Sequence, residues 1–160
     1  MKNKRQDGFS LIELLIVVTI IGIIAAIAVP GLLASRRAAN EGSAQSALRT
    51  IHSAQVAYQG TAGFGTYATD LTTLRNQNLI DGLLGSSNKS GYHYEIVEAA
   101  GTNATAVFGV YGFPITTSGT TQTGTRVFGT TNTGVMHGDT DLSAVPNTIT
   151  LIDNLPVLKN

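Results

Sequence analysis

The residues able to do acid–base, nucleophilic or metal chemistry are few. The 160-residue chain has no cysteine, which removes thiolate nucleophiles, thiolate metal ligands and disulfides. Its three histidines, His52, His93 and His137, are scattered. His93 stands close to Glu95 and Glu98 in a stretch that reads as a strand. Strict alternation there sends the two carboxylates to opposite faces, so they read as surface charge and not as an acid–base pair. Asp139 and Asp141, near His137, place two carboxylates one residue apart. That offers oxygen ligands to calcium, without a full calcium-loop pattern; these two are the metal candidates, and no other cofactor is expected. No G-x-S-x-G, H-E-x-x-H, Walker or Rossmann pattern occurs, so the chain reads as a non-enzyme. The formal charge is zero, and nothing in it calls for nucleic acid as a partner.

Glu13 is the remaining chemical residue, and its setting is unusual. It opens a run, residues 14–35, that contains no charged side chain. As a helix this run rises roughly 33 Å, close to the ~30 Å hydrocarbon core of a bilayer. A carboxylate within such a segment costs about 2.5–3.5 kcal/mol on insertion scales when central, and is retained where it has a partner or a task. Lys2, Lys4 and Arg5 precede the run and favour a cytoplasmic N-terminus. The order of parts is not that of a conventional secretory signal, where the cleavage site follows the apolar region. Here the small residue, Gly8, comes before it, so a cut at Gly8 leaves the apolar segment on the mature chain.

The stretch GFSLIELLIVVTIIGIIAAIAVP, Gly8 to Pro30, resembles the N-terminus of type IV prepilins and of the pseudopilins of type II secretion. The resemblance is dense over about the first thirty-five residues and fades beyond them. It implies cleavage between Gly8 and Phe9 by a membrane prepilin peptidase, N-methylation of Phe9, and an assembly role for Glu13, the fifth residue of the mature chain. It also places the helix-interrupting proline of such pilins at Pro30. Glycine before the cut suits a tight peptidase site. The new Phe9 amine stays cationic after methylation, and in a bundle of apolar helices Glu13 must find such a cation or protonate. The Phe9 amine of a neighbouring subunit fits, and would set the axial register between subunits. Small residues Gly22, Ala25, Ala26 and Ala28 allow close helix approach, and Pro30-Gly31 weakens the helix locally.

Three segments follow: residues 1–8 as leader, 9–30 as membrane anchor and filament core, and 31–160 as an amphipathic helix half with a globular domain. After Pro30, Ala44, Ala47, Leu48, Ile51, Ala54 and Tyr58 recur at helical spacing. Gln45, Arg49 and His52 fall on the opposite side and read as solvated; Gly60 and Gly63 end the helix. Residues 61–91 read as a loop with one short helix capped by Asp70 and packed through Leu71, Leu74, Leu79 and Ile80, with Gly82, Gly85 and residues 86–90 breaking structure. Strands are expected at residues 92–99, 104–113, 125–130 and 134–137, with hairpin loops at 101–103 and 131–133, and a further short strand at 148–152. The expected fold is α+β, type IV pilin-like: a long N-terminal helix whose C-terminal half packs on a small antiparallel sheet.

By that resemblance the chain is a structural subunit of a type IV pilus filament; the alternative is a pseudopilin of a type II secretion system with a calcium-binding globular domain. Its implied partners are copies of itself in a helical filament, the prepilin peptidase and assembly machinery, and the inner membrane before assembly. The implied location is the bacterial inner membrane as precursor, then an extracellular filament or a periplasmic pseudopilus.

Overall fold

Residues 9–143 and 145–158 are described by a computed structural model. Lys2, Lys4, Arg5 and Gly8 lie outside the described residues. Helix α1 spans Leu11–Gly60, and the chain divides into two compact units between Ser35 and Arg36. Pro30 lies inside α1: proline removes one backbone donor there, but the helix runs through it.

In the second unit α1 buries Ala44, Ala47, Leu48, Ile51, Ala54 and Gln55, a stripe at three- and four-residue intervals. This stripe shares one core with Leu71, Leu74 and Leu84 and with the sheet residues Tyr92, Tyr94, Ile96, Phe108, Val110 and Phe128. Each fully buried side chain of this size contributes about 1.5–3 kcal/mol by leaving water. Gln55 is the one polar member of the stripe and is fully buried. Its side-chain amide donates to the Ala68 carbonyl (2.9 Å) and its carbonyl accepts from the Ala68 amide (2.8 Å), fastening the loop after α1 to the helix.

Helix α2, Leu71–Asn76, starts at Asp70, whose carboxylate accepts from the Thr73 amide (2.7 Å). The region expected to break structure instead holds a one-turn helix, α3, Gly82–Gly85. Asp81 makes it possible by accepting from the Leu84 amide (2.7 Å) and pairing with Lys89 (2.7 Å). Gly85 is needed for contact: a Cβ there would lie 2.6 Å from Arg75 Cδ.

The sheet is an antiparallel meander of five strands, β1 Asn88–Lys89, β2 Tyr92–Ala100, β3 Val107–Pro114, β4 Val127–Thr131 and β5 Met136–Asp139, in that order across it. A short 3-10 turn, Asn103–Thr105, enlarges the β2–β3 connection beyond the expected loop. Tyr92, Tyr94 and Ile96 are buried on the α1 side. The register shifts between Ile96 and Glu98. This bulge resets the alternation, so Glu98 is exposed as Glu95 is, contrary to the strict alternation that separates them.

The reverse face carries the largest departure from expectation. Residues 148–152 are not a strand. Thr148 caps α4, Ile149–Asp153, by accepting from the Leu151 amide (3.2 Å). Ile149 and Ile152, three apart, then settle over Gly109 and Gly129: a Cβ on Gly129 would lie 2.8 Å from Ile152, and one on Gly109 3.0 Å from Ile149. Strand glycines here give a helix room to approach. The segment beyond α4 lies along β5, with the Gly138 amide donating to Pro156 (2.9 Å), the Leu158 amide donating to Met136 (3.0 Å), and Val157 bridging His137.

Candidate processing and assembly segment

Residues 9–35 form the first described unit. Ser10 precedes the first turn of α1, and its carbonyl accepts from the Leu14 amide (3.2 Å). Glu13 reaches back so that its carboxylate accepts from the Ser10 amide at 3.4 Å. This is half of a capping box, and the spacing Ser10-x-x-Glu13 was its sequence signal. The bond is long, and Glu13 sits in the first helical turn, where a negative charge complements the helix dipole. Phe9, next to the expected cut, is 89% exposed.

From Leu11 to Leu32 the large apolar side chains all stand exposed. The segment is long and apolar enough to cross a membrane, and none of its apolar window is buried. Two hydroxyls along it and just beyond are turned inward onto the helix: Thr19 donates to the Leu15 carbonyl (2.7 Å) and Ser35 to the Gly31 carbonyl (3.0 Å). Such back-bonding satisfies a polar group without water, which an apolar environment requires. Nothing lies within 4 Å of a Cβ placed on Gly22 or Gly31, so both positions present open backbone. The unit therefore offers a long uncovered apolar surface with one carboxylate at its start.

The other sequence candidates are placed in the second unit, each in a structural role. His137 is buried; its Nδ1 donates to the Leu155 carbonyl (2.8 Å) and its Nε2 lies 3.9 Å from Asp153. It is a clamp on the segment lying along β5. Asp139 accepts from the amides of Thr140 (2.6 Å) and Asp141 (3.3 Å), and Asp141 from that of Ser143 (2.8 Å). Hydrogen bonds from Ser143 hold the Asp141 carboxyl below the ordinary range. The two carboxylates shape a turn, and among the described residues no three His, Asp or Glu side chains gather as metal ligands would. Glu95 accepts from the Tyr111 hydroxyl (2.7 Å); burial first, then that carboxylate, push the phenol up. His93 Nδ1 lies 3.1 Å from the Asn88 side-chain oxygen.

His52 departs from its expected solvated place. It is half-buried, its ring centroid 5.6 Å from that of Phe108, and its Nε2 is out of water with no hydrogen-bond partner among the described residues.

Residues 3–29 match the family described as the prokaryotic N-terminal methylation motif. Among curated proteins the chain is 43% identical over 56 residues to the type IV major pilin protein PilA of Myxococcus xanthus, covering 35% of this chain and 26% of that protein. It is 34% identical over 59 residues to the type II secretion system core protein G of Aeromonas hydrophila, covering 37% and 41%. It is 56% identical over 41 residues to the type IV wide pilus major component PilA4 of Thermus thermophilus, covering 26% and 30%. The matched region thus spans less than half the length of each of these relatives. No solved structure matches the chain. The N-terminal segment thus carries the prokaryotic N-terminal methylation motif, and over that segment the chain is similar to type IV pilins and to a type II secretion core protein.

Proposed function

We propose that this chain is a structural subunit of a type IV pilus filament, cut between Gly8 and Phe9 by a prepilin peptidase, methylated on the Phe9 amine, and polymerised through residues 9–30. One observation carries the reading: the large apolar side chains from Leu11 to Leu32 are exposed, with none of that apolar stretch buried among the described residues. Such a surface is stable in lipid or against copies of itself. The precursor rests in the inner membrane, and assembly exchanges lipid for neighbouring helices.

Glu13 is the register contact in this reading. Its long bond to Ser10 leaves the carboxylate capacity for the cationic Phe9 amine of the next subunit. A helix shifted out of register strands that carboxylate in an apolar bundle, and losing one partner of a buried ion pair costs about 3–5 kcal/mol. N-terminal mass spectrometry of the mature protein tests the processing: a chain beginning at methylated Phe9 is expected, and a retained Met1 overturns it. Assaying Glu13→Ala for fibres tests the register; filaments of unchanged subunit spacing would remove Glu13 from that role.

The second reading is a pseudopilin of a type II secretion system, favoured by the similarity to core protein G of Aeromonas hydrophila. Purified surface filaments separate the two. A pilus subunit is their bulk protein; a pseudopilin is absent from them and stays in the cell envelope.

A further inference from the structure

Among the described residues, two arginines and a histidine of the second unit have no acidic partner around one pair of adjoining clefts. The first cleft, of about 310 Å³, lies between α1 and the β4–β5 side of the sheet, with Gln45, Arg49 and Arg126 in its wall. The second, of about 260 Å³, shares Arg49 and Met136 with it and reaches His52. Arg126 stacks over Phe128, 5.6 Å from the ring centroid, which fixes its guanidinium. Its Nε–H is out of water and has no acceptor among the described residues. The His52 Nε2 is in the same condition. A buried donor without a partner is costly, and each instance asks what supplies the missing acceptor.

The nearby acids are otherwise engaged. Glu41 accepts from the amide (2.8 Å) and hydroxyl (2.7 Å) of Thr125. Asp139, opposite Val127 in the ladder, accepts from the amides that follow it. Among the described residues neither Arg49 nor Arg126 forms an ion pair. A planar guanidinium fork matches two oxygens of a carboxylate or a phosphate, and it is the side chain best suited to hold such an anion where water is scarce.

We propose that this double cleft is a binding site for a small oxyanion, a carboxylate or a phosphate, held between Arg49 and the pre-oriented Arg126, with His52 at its inner end. The site is independent of the apolar half of α1 and of the processing reaction. Bound oxyanion joins α1, through Arg49, to the start of β4, through Arg126 just before it.

The test uses the full chain in detergent micelles, titrated with sodium phosphate and with sodium acetate at constant ionic strength, sodium chloride being the reference. Arginine Nε–H resonances are the readout. The Arg126 signal should move saturably with at least one of the two oxyanions. Arg49→Gln, at an exposed position, should weaken binding by about tenfold or more while leaving the melting temperature unchanged. Arg126→Gln should weaken it at least as much, and the Arg49 variant carries the test if that chain folds poorly. Saturation by phosphate alone identifies a tetrahedral anion as the source; saturation by acetate alone identifies a carboxylate, such as an acidic side chain. A response no different from chloride, or wild-type affinity in Arg49→Gln, overturns the proposal.

Discussion

Gln55 and Ala68 exchange two hydrogen bonds, 2.9 and 2.8 Å, in a fully buried setting. The side-chain amide acts as a piece of backbone, satisfying both the amide and the carbonyl of a loop residue that is itself buried. Gln55→Ala leaves both unpaired. Each costs about 1–3 kcal/mol, so a loss of roughly 2–5 kcal/mol is expected in denaturant unfolding of the full chain. A loss under about 1 kcal/mol would mean that water replaces the amide.

Ile152 against Gly129 sets up a coupled pair. A methyl group on Gly129 meets Ile152 at 2.8 Å, so Gly129→Ala should destabilise by about 1–3 kcal/mol through overpacking. Ile152→Ala alone should cost about 2–5 kcal/mol by opening a cavity. Together they should cost less than the sum, because the smaller residue 152 makes room for the new methyl. Strict additivity in a double-mutant cycle would break the claimed contact.

Stability should fall at both ends of the pH scale, for separate reasons. The Asp70 and Asp81 carboxyls lie below 3.8 in the folded chain; the Thr73 amide lowers the first, and Lys89, then the Leu84 amide, lowers the second. Unfolded, both return to about 3.9. The folded form thus binds fewer protons, and this stabilisation is complete above about pH 4 and lost as pH falls through the folded values. Asp70→Asn and Asp81→Asn should each flatten the acid limb of a melting-temperature profile. At the other end, burial raises the phenols of Tyr92, Tyr94 and Tyr111 above their ordinary 10.0. Their neutral forms are favoured by folding, so stability holds below about pH 10 and declines above it. Tyr94→Phe, which also removes a hydroxyl lacking a partner among the described residues, should reduce that alkaline decline.

Millimolar calcium should leave the melting temperature where it is. Asp139 and Asp141 already serve the amides of their own turn. A micromolar site would instead add about 4 kcal/mol at a thousandfold excess over its dissociation constant, a change that calorimetry sees at once. Such a shift, abolished in Asp139→Asn, would establish the calcium reading.

The N-terminal motif and the amphipathic stripe were legible because each rests on a strong local pattern. Charge-free length marked the apolar segment, and three- and four-residue spacing marked Ala44, Ala47, Leu48, Ile51 and Ala54. Strands β2 to β5 of the meander were legible from alternation and turn residues, with ends moved by up to three residues, while β1 fell in a stretch read as breaking structure. Where the reading missed, long-range contact had decided. Residues 148–152 alternate as a strand would, and only the glycine floor at Gly109 and Gly129 makes the helical choice pack. His52 sits opposite the core stripe on α1, yet the sheet curls Phe108 and Gly134 against it. Gln55 falls on the apolar stripe, but its partner Ala68 lies thirteen residues away, beyond any periodic signal. In the assembly segment, Ser10-x-x-Glu13 carried a local capping message beneath the longer-range role read for Glu13.

The two margins of the sheet are guarded against further strands, one of them only in part, since β1 pairs with Tyr92 and His93 alone. One ends in β1, only two residues long and carrying Lys89; along the other, the chain folds back so that Pro156, Val157 and Leu158 occupy the hydrogen-bonding groups of β5. Open strand margins are how β-proteins zip into unintended aggregates at high local concentration. Crowded together, as the proposed filament requires, these domains are less prone to fuse through their sheets. Association, in the proposed filament, is then left to the exposed apolar side chains of residues 11–32.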